Sequence, residues 1–201
     1  MYKFVERTEA PTQSNATDKI YFFSRNNGYW YYGYGMPNCT AYALGQAMFL
    51  GALNGLDIPY YGLNAGVFHN ADTWGNTGEV GGEWDRGIVP KLGAIAVWSG
   101  GGQGGHVAIV EAINDNGTIK TSNSGWHGSA NVGNEEDSRW WWIQDNLDVN
   151  NYGNYTFRYY LYPPYIDEQP TPPDPPEPPE PPKDKKSWIP LAICKAMPYN
   201  L

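Results

Sequence analysis

The segment from Pro170 to Pro182 contains nine prolines in thirteen residues, with Glu and Asp between them. Proline fixes the φ angle and has no N–H to donate, so this segment forms neither a helix nor a central strand of a sheet. We expect a stiff polyproline II spacer of about 40 Å, at roughly 3.1 Å per residue, and a disordered acidic tail is the alternative. A folded domain must therefore end before this run. We place an acidic proline-rich linker at residues 166–186 and a short apolar peptide at residues 187–201.

Charge and cysteine content exclude several classes of protein. The 201 residues carry a formal net charge of −8 at pH 7, which argues against binding of nucleic acid or of an anionic membrane surface. The two cysteines, Cys39 and Cys194, provide neither a disulfide framework nor a Cys/His spacing for a metal. We predict no metal and no organic cofactor. No apolar run is long enough to span a bilayer, and residues 1–9 lack the apolar core of a signal peptide.

Cys39 lies where a glycine-rich loop should turn into a helix. Asn38 is a favoured N-cap residue, and residues 40–53 are rich in Ala, Leu and Met, contain no proline and are followed by an Asn-Gly pair. A thiol in the first turn of a helix lies at the positive end of the macrodipole, which favours the nucleophilic thiolate. The alternative is a small buried apolar residue, as most single cysteines are. We interpret Cys194, which has no histidine near it in the sequence, as incidental.

A cysteine nucleophile needs a base, and His106 is the best placed of the three histidines. Residues 106–113 are apolar and β-branched, which predicts a strand, and five of the six residues before them are glycines that leave an open approach. The Asn-Asp-Asn-Gly sequence at 114–117 predicts a hairpin turn, so the returning strand should follow at once. We interpret His69 and His127 as surface or packing residues.

The alternation of side chains along this hairpin brings one polar residue to His106. With a four-residue loop, Ala108 pairs with Asn123, so Asn123 lies on the same face as His106 and diagonally next to it. A two-residue loop keeps the face but weakens the contact, and a bulge breaks the argument. Glu111 has the opposite parity and should face away. The order of Cys39, His106 and Asn123 is that of the papain-type arrangement, in which an amide side chain orients the imidazole that partners the thiolate.

The sequences around these three residues resemble the CHAP domain, a family of cysteine- and histidine-dependent amidohydrolases/peptidases. Asn-Cys-Thr-Ala-Tyr-Ala at 38–43 resembles the family's Asn-Cys-Thr-Trp-Tyr-Ala, with Ala41 where the family usually has Trp. Two further blocks, at 93–111 and 122–126, resemble the family in the same order and at typical spacings. The resemblance extends over about residues 26–163.

We expect an α+β fold with a papain-like core, in which an N-terminal helix that carries the nucleophile packs on an antiparallel sheet. Predicted strands cover 94–98, 106–113, 118–124 and 155–162. The domain should comprise residues 26–165, after a loosely ordered lead-in at 1–25 with one possible strand at 19–23.

The resemblance implies a thiol amidohydrolase that cuts an amide bond in bacterial peptidoglycan. Cys39 would attack the carbonyl, His106 would activate it and protonate the leaving amine, and Asn123 would hold the imidazole. Two activities remain open: an N-acetylmuramoyl-L-alanine amidase, or an endopeptidase of the stem or cross-bridge. The alternatives are a cysteine protease that acts on proteins and a phage tail or binding protein with a degenerate CHAP fold, against which the intact Cys39, His106 and Asn123 argue.

The linker and the apolar peptide favour a bacteriophage protein, either a lysin or a virion tail component that penetrates the wall. Without a signal peptide, it would act at the bacterial wall after release from the host cytoplasm or as part of the virion. An acidic domain gains no attraction to a polyanionic wall, so residues 187–201 are candidates to dock on a phage tail protein.

Four aromatic residues are candidates for contact with substrate: Tyr34, Tyr42, Trp126 and Trp140. Tyr34 and Tyr42 flank the nucleophile, and Trp140 begins a run of three tryptophans that would form either a sugar-stacking wall or an apolar lid. Packing is the alternative for these aromatic residues. The acids in the 72–85 loop lack the spacing of an EF-hand, so a calcium site there stays an open alternative and is not predicted.

Overall fold

The structure is a computed structural model that describes residues 2–58, 69–102, 104–126 and 138–166. The described residues form three α-helices, two single-turn 3-10 helices and one sheet of six strands. The helices are α1 (Ala16–Tyr21), α2 (Gly28–Tyr31) and α3 (Cys39–Leu53), and the 3-10 turns cover Ala71–Thr73 and Pro164–Ile166. The strands are β1 (Asp85–Gly87), β2 (Ile95–Gly100), β3 (His106–Ile113), β4 (Ile119–Asn123), β5 (Trp142–Leu147) and β6 (Tyr155–Tyr162).

The sheet is antiparallel throughout, in the order β1-β6-β2-β3-β4-β5. Helix α3 packs chiefly against β3, the strand that begins with His106. One buried helix on an antiparallel sheet confirms the predicted α+β fold and is consistent with a papain-like core. Strands β1 and β5 were not predicted, because both are short and rich in polar residues.

Helix α3 begins at Cys39 because Asn38 caps it: the Asn38 Oδ1 atom accepts a hydrogen bond from the Thr40 N–H over 3.1 Å. Twelve of its fifteen residues are buried, so its sequence is apolar around the whole circumference and not along one face. Small residues let its neighbours approach closely. A Cβ atom added at Gly45 would lie 2.5 Å from the ring of Phe22. The helix start that carries Cys39 is therefore held in a closely packed core.

Part of the N-terminal segment packs against this core through Tyr2, Phe4 and Ala10, and residues 16–21 form helix α1. The predicted strand at 19–23 is wrong, because the Asn15 side chain accepts hydrogen bonds from two backbone N–H groups and so caps α1 there. The guanidinium of Arg7 pairs with the Asp18 carboxylate of this helix over 2.9 Å. Both side chains are largely buried, so the pair joins the N-terminal segment to the domain.

The β3–β4 hairpin has the predicted strand pairing near His106, although its loop is longer than predicted and one strand contains a bulge. Ile113 pairs with Ile119, so the loop between the strands is one residue longer than expected. The register then shifts by one at Glu111, and Ile109 pairs with Ser122 as the four-residue loop would have required. The bulge at Glu111 therefore compensates for the longer loop and leaves the His106 end of the hairpin in the predicted alignment.

The predicted linker and apolar peptide, together with Cys194, lie outside the described residues apart from Ile166, which is fully buried. None of the helices within the described ranges has both the length and the apolar character needed to cross a membrane.

Candidate active site

Cys39 is the first residue of α3 and is almost completely buried, with 8% of its surface exposed. The residue before it holds this helix start against the end of β4. The Asn38 N–H donates to Ser124 Oγ over 3.0 Å, and Asn38 Nδ2 donates to the Tyr34 carbonyl over 2.9 Å. Because Ser124 follows Asn123 in the chain, these bonds fix the position of Cys39 relative to the predicted orienting residue.

His106 begins β3, and its ring lies among aromatic side chains. Trp142 of β5 stacks nearly parallel to the imidazole, with 6.1 Å between ring centroids and 13° between planes. The rings of Trp98, Tyr152 and Tyr155 have their centroids between 5.6 and 6.0 Å from it. These rings shield the imidazole from water and restrict its movement.

Asn123 is the polar partner of His106, as the alternation of side chains predicts. A hydrogen bond of 3.0 Å joins Asn123 Oδ1 to His106 Nε2. The orientation of the amide follows from Thr121, because Asn123 Nδ2 donates to the Thr121 carbonyl over 3.2 Å and to its Oγ1 over 3.0 Å. Asn123 Oδ1 must then accept, so His106 Nε2 carries the proton and Nδ1 keeps a lone pair. A neutral imidazole in this tautomer takes up a proton at Nδ1.

Burial opposes charge on both reactive groups. It lowers the pKa of His106 to about 4, against the Asn123 hydrogen bond, which raises it. Burial likewise raises the pKa of Cys39 to about 11, and hydrogen bonds from backbone N–H groups, including that of Val107, oppose this only in part. Desolvation therefore outweighs the preference for a thiolate that the helix start predicts. Burial therefore favours the neutral thiol and the neutral imidazole.

Cys39 and His106 line the same cavity, which has a volume of about 540 Å³. The other lining residues are Gly101, Gly102, Gly105, Gly125, Trp126, Trp142, Tyr152 and Tyr155. No acidic, lysine or arginine side chain is among these described residues. Glycine is required at Gly105, where φ is +74° and a Cβ atom would lie 2.2 Å from the Trp98 carbonyl oxygen. The backbone next to His106 can therefore pack directly against β2.

Among the residues predicted to contact substrate, Trp126 lies in the cavity and Tyr34 lies beside it. Trp126 is 51% exposed, and its ring stacks on that of Tyr34 with 6.1 Å between centroids and 13° between planes. Trp142, the last of the three consecutive tryptophans, also lines the cavity. Tyr152 and Tyr155 were not predicted to line it, because they come from the turn before β6 and its first residue, where no local motif marks a site.

Tyr42 and Trp140 are buried in the core, so the structure does not support the prediction that they contact substrate. Tyr42 has no exposed surface, and its hydroxyl donates to Ser122 Oγ over 2.7 Å. Trp140 is 2% exposed, donates from Nε1 to the Pro11 carbonyl over 3.2 Å and stacks on Phe23. Packing, the alternative that the sequence left open, is the role of both side chains in this structure.

Glu111 faces away from the imidazole, as its parity predicts. Ser122 Oγ donates to Glu111 Oε1 over 2.5 Å, and the Arg7 N–H donates to Oε2 over 2.9 Å. Because Tyr42 donates to Ser122, these polar groups join α3, β3, β4 and the N-terminal segment. Burial raises the pKa of Glu111 to about 7, since its hydrogen bonds offset only part of the desolvation. Ser122, the residue before Asn123 on β4, belongs to this network, which therefore supports the strand that carries Asn123.

His69 is a packing residue, in line with its interpretation from the sequence. It is 8% exposed, and its Nδ1 atom contacts the carboxylate of Glu79, which also accepts from Thr73 Oγ1 over 3.0 Å. Within the described ranges, no three His, Cys, Asp or Glu side chains are grouped as metal ligands would be. His127 lies outside the described residues.

A comparison with known protein families matches residues 27–125 to the family model described as the CHAP domain. The matched range contains Cys39, His106 and Asn123, and it extends from α2 to just beyond the end of β4. The family consists of cysteine- and histidine-dependent amidohydrolases/peptidases, and the match supports a hydrolase of the peptidoglycan amidase or peptidase type in general. This match, on an α+β fold in which a buried helix carries the cysteine, identifies a CHAP domain within the chain at residues 27–125.

Proposed function

We propose that this protein hydrolyses an amide bond of bacterial peptidoglycan by a thiol mechanism that uses Cys39, His106 and Asn123. The observation that carries the proposal is that Cys39 and His106 line one cavity while Asn123 holds Nε2–H of the imidazole. This tautomer leaves a lone pair on Nδ1, and a base oriented by a third group is what a thiol nucleophile requires.

In the first half of the proposed reaction, the sulfur of Cys39 attacks the carbonyl carbon of the amide while its proton passes to Nδ1 of His106. The negative oxygen of the tetrahedral intermediate accepts a hydrogen bond from the Cys39 N–H at the start of α3. His106 then donates the proton to the leaving nitrogen, the C–N bond breaks, and an acyl thioester remains on Cys39.

In the second half, a water molecule gives a proton to Nδ1 of His106 and attacks the thioester carbon. The C–S bond breaks, the product leaves as a carboxylic acid, and the Cys39 sulfur regains its proton. Because burial disfavours the imidazolium, the hydrogen bond to Asn123 Oδ1 supports the positive charge as it forms.

The same machinery serves an amidase or an endopeptidase, and it would equally serve a protease that acts on proteins. A degenerate CHAP fold with a binding role is the alternative from another class. The hydrogen bond of His106 supports the enzyme, because a binding module has no need of a cavity-lining imidazole whose Nε2–H is held by an amide so that Nδ1 keeps a lone pair.

For the setting, we propose a bacteriophage lysin or tail-associated hydrolase in which residues 166–186 act as a spacer and residues 187–201 as a docking peptide. The net charge of −8 supports a tether, because the polyanionic wall offers no electrostatic attraction to such a chain. A tether supplies a high local concentration of enzyme without affinity for the wall.

Digestion of purified peptidoglycan tests the function. The wild-type protein should release new amines, which chemical labelling and mass spectrometry assign to L-alanine, the stem or the cross-bridge. His106→Ala is the control and should release none above background. Absence of new amines with the wild-type protein, together with cleavage of a denatured protein substrate, would favour the protease. Absence of both would favour the binding module.

A further inference from the structure

Trp126 exposes apolar surface directly beside the reactive residues. It is 51% exposed, whereas Asn123 and Ser124 shortly before it have no exposed surface. One face of its ring stacks on Tyr34 at 6.1 Å and 13°, so the indole has a supported orientation. A supported but exposed indole in a cavity that contains a thiol and an imidazole is typical of a surface that a ligand covers.

Further aromatic rings continue this surface around the imidazole. Tyr152 and Tyr155 stack on each other with 5.3 Å between centroids and 27° between planes, and Trp142 stacks on His106. All three line the same cavity as Trp126. Phenol hydroxyls, indole N–H groups, the imidazole and glycine backbone supply the polar groups of this described lining, which includes no permanently charged side chain.

We infer, on the basis of the peptidoglycan hydrolase proposed above, that this aromatic cavity binds a sugar ring of the glycan. The bond cut is then the N-acetylmuramoyl-L-alanine amide at the junction of glycan and peptide. A pyranose ring has C–H groups on its faces, which stack on aromatic rings, and hydroxyls at its edge, which bond to tyrosine. Stem and cross-bridge peptides carry carboxylates and amines instead, and burying these requires opposite charges, which the described lining residues do not include.

The atoms of this reaction follow the mechanism already given. Cys39 attacks the carbonyl carbon of the lactyl group on the muramic acid, and the C–N bond to L-alanine breaks. The alanine amine leaves with the proton from His106, and water hydrolyses the lactyl thioester to a carboxylic acid. A sugar ring stacked on Trp126 would hold the lactyl group at the sulfur, so part of its binding energy lowers the barrier for this substrate.

Two soluble substrates with the same scissile bond test the inference. One is N-acetylmuramoyl-L-alanyl-γ-D-glutamyl-L-lysine, and the other is the same peptide capped with D-lactate in place of the sugar. We expect kcat/KM to be about a hundredfold higher with the sugar. Trp126→Ala should lower this ratio about tenfold, and Trp126→Phe, which keeps a ring, should lower it less. Tyr31→Ala is the control, because Tyr31 is 50% exposed but does not line the cavity.

Equal kcat/KM for the two substrates would overturn the sugar site and leave peptidoglycan hydrolysis in place. New amines confined to the stem or cross-bridge of digested peptidoglycan would do the same. Failure to release amine from intact peptidoglycan would overturn the hydrolase, and the sugar site with it. If Trp126→Ala does not fold, the tryptophan fluorescence of the wild-type protein gives a second readout. It should change saturably with a muramic acid-containing disaccharide and not with the free stem peptide, and the reverse would contradict the inference.

Discussion

The Oδ1 atom of Asn123 accepts a hydrogen bond of 3.0 Å from Nε2 of His106, across two adjacent strands. Thr121 fixes the amide from the other side, since it accepts from Asn123 Nδ2 through its carbonyl and its hydroxyl. The imidazole is thereby held in the tautomer whose Nδ1 carries a lone pair. In the proposed mechanism, the ability of His106 to act as a base depends on this amide, which itself takes no part in bond breaking.

Replacement of Asn123 should weaken catalysis without abolishing it. Asn123→Ala removes the orienting bond, so we expect kcat/KM on peptidoglycan to fall by about 10- to 100-fold, less than for loss of the nucleophile or base. Asn123→Asp keeps the acceptor and adds a negative charge, which raises the pKa of His106 from its value of about 4. The acid limb of the profile of kcat/KM against pH should therefore move to higher pH. Wild-type rates in Asn123→Ala would show that the bond has no role.

His106 should make the protein less stable as the pH falls below about 6.5. The unfolded chain binds a proton on this residue near pH 6.5, whereas the folded protein binds it only near pH 4. The free energy of unfolding should therefore drop by up to about 3 kcal/mol between these pH values. His106→Gln removes this titration, so urea unfolding at pH 7 and pH 4.5 should show a smaller loss in the variant. An identical loss would mean that the imidazole is not buried in its neutral form.

Glu111 should have the opposite effect to His106 and make the protein less stable as the pH rises. The folded protein keeps the proton of this carboxyl up to about pH 7, whereas the unfolded chain releases it near pH 4.5. The free energy of unfolding should therefore fall by up to about 3 kcal/mol as the pH rises through that range. Glu111→Gln stays neutral, although it loses one acceptor. Relative to the wild type, its stability should increase between pH 5 and pH 8, and a constant difference would contradict the pKa assigned to Glu111.

Removal of the residues after Gln169 should separate delivery from catalysis. Tyr165 and Ile166 are buried, so a cut at Gln169 keeps them. We expect the shortened chain to hydrolyse soluble muropeptides at nearly the rate of the full chain. Lysis of whole cells, or incorporation into virions, should fall about tenfold or more, because the proposed tether is lost. An equal loss on both substrates would show that the tail contributes to the catalytic domain.

Cys39, His106 and Asn123 could be predicted from the sequence because each lies in a local sequence pattern. Cys39 follows a helix cap, His106 begins an apolar strand after a glycine run, and the period of two along β-strands relates Asn123 to His106. The hairpin loop was predicted one residue too short, yet Ile109 still pairs with Ser122. The bulge that restores this register depends on burial of Glu111 among groups from other parts of the chain, which the hairpin sequence does not encode.

The residues that line the cavity were harder to predict from the sequence, because they come together from distant parts of the chain. Tyr152 and Tyr155 lie close to His106 because β6 and β3 both pair with β2, and no spacing in the sequence predicts that order of strands. Tyr42 illustrates the converse error. It is three residues from the nucleophile in the sequence, but its side chain is fully buried and its hydroxyl bonds to Ser122 of β4.

The two cysteines provide the most direct measurement of the central claim, that Cys39 is the nucleophile. Cys39→Ser and Cys194→Ser make the same chemical change at the two cysteine positions; Cys39 lines the cavity described here, and Cys194 lies outside the described residues. The release of new amines from purified peptidoglycan should be compared for both variants and the wild type, with circular dichroism to verify folding. We predict that Cys194→Ser keeps the wild-type rate and that folded Cys39→Ser loses about a thousandfold or more. A folded Cys39→Ser variant that releases amines at a rate near that of the wild type would contradict the mechanism.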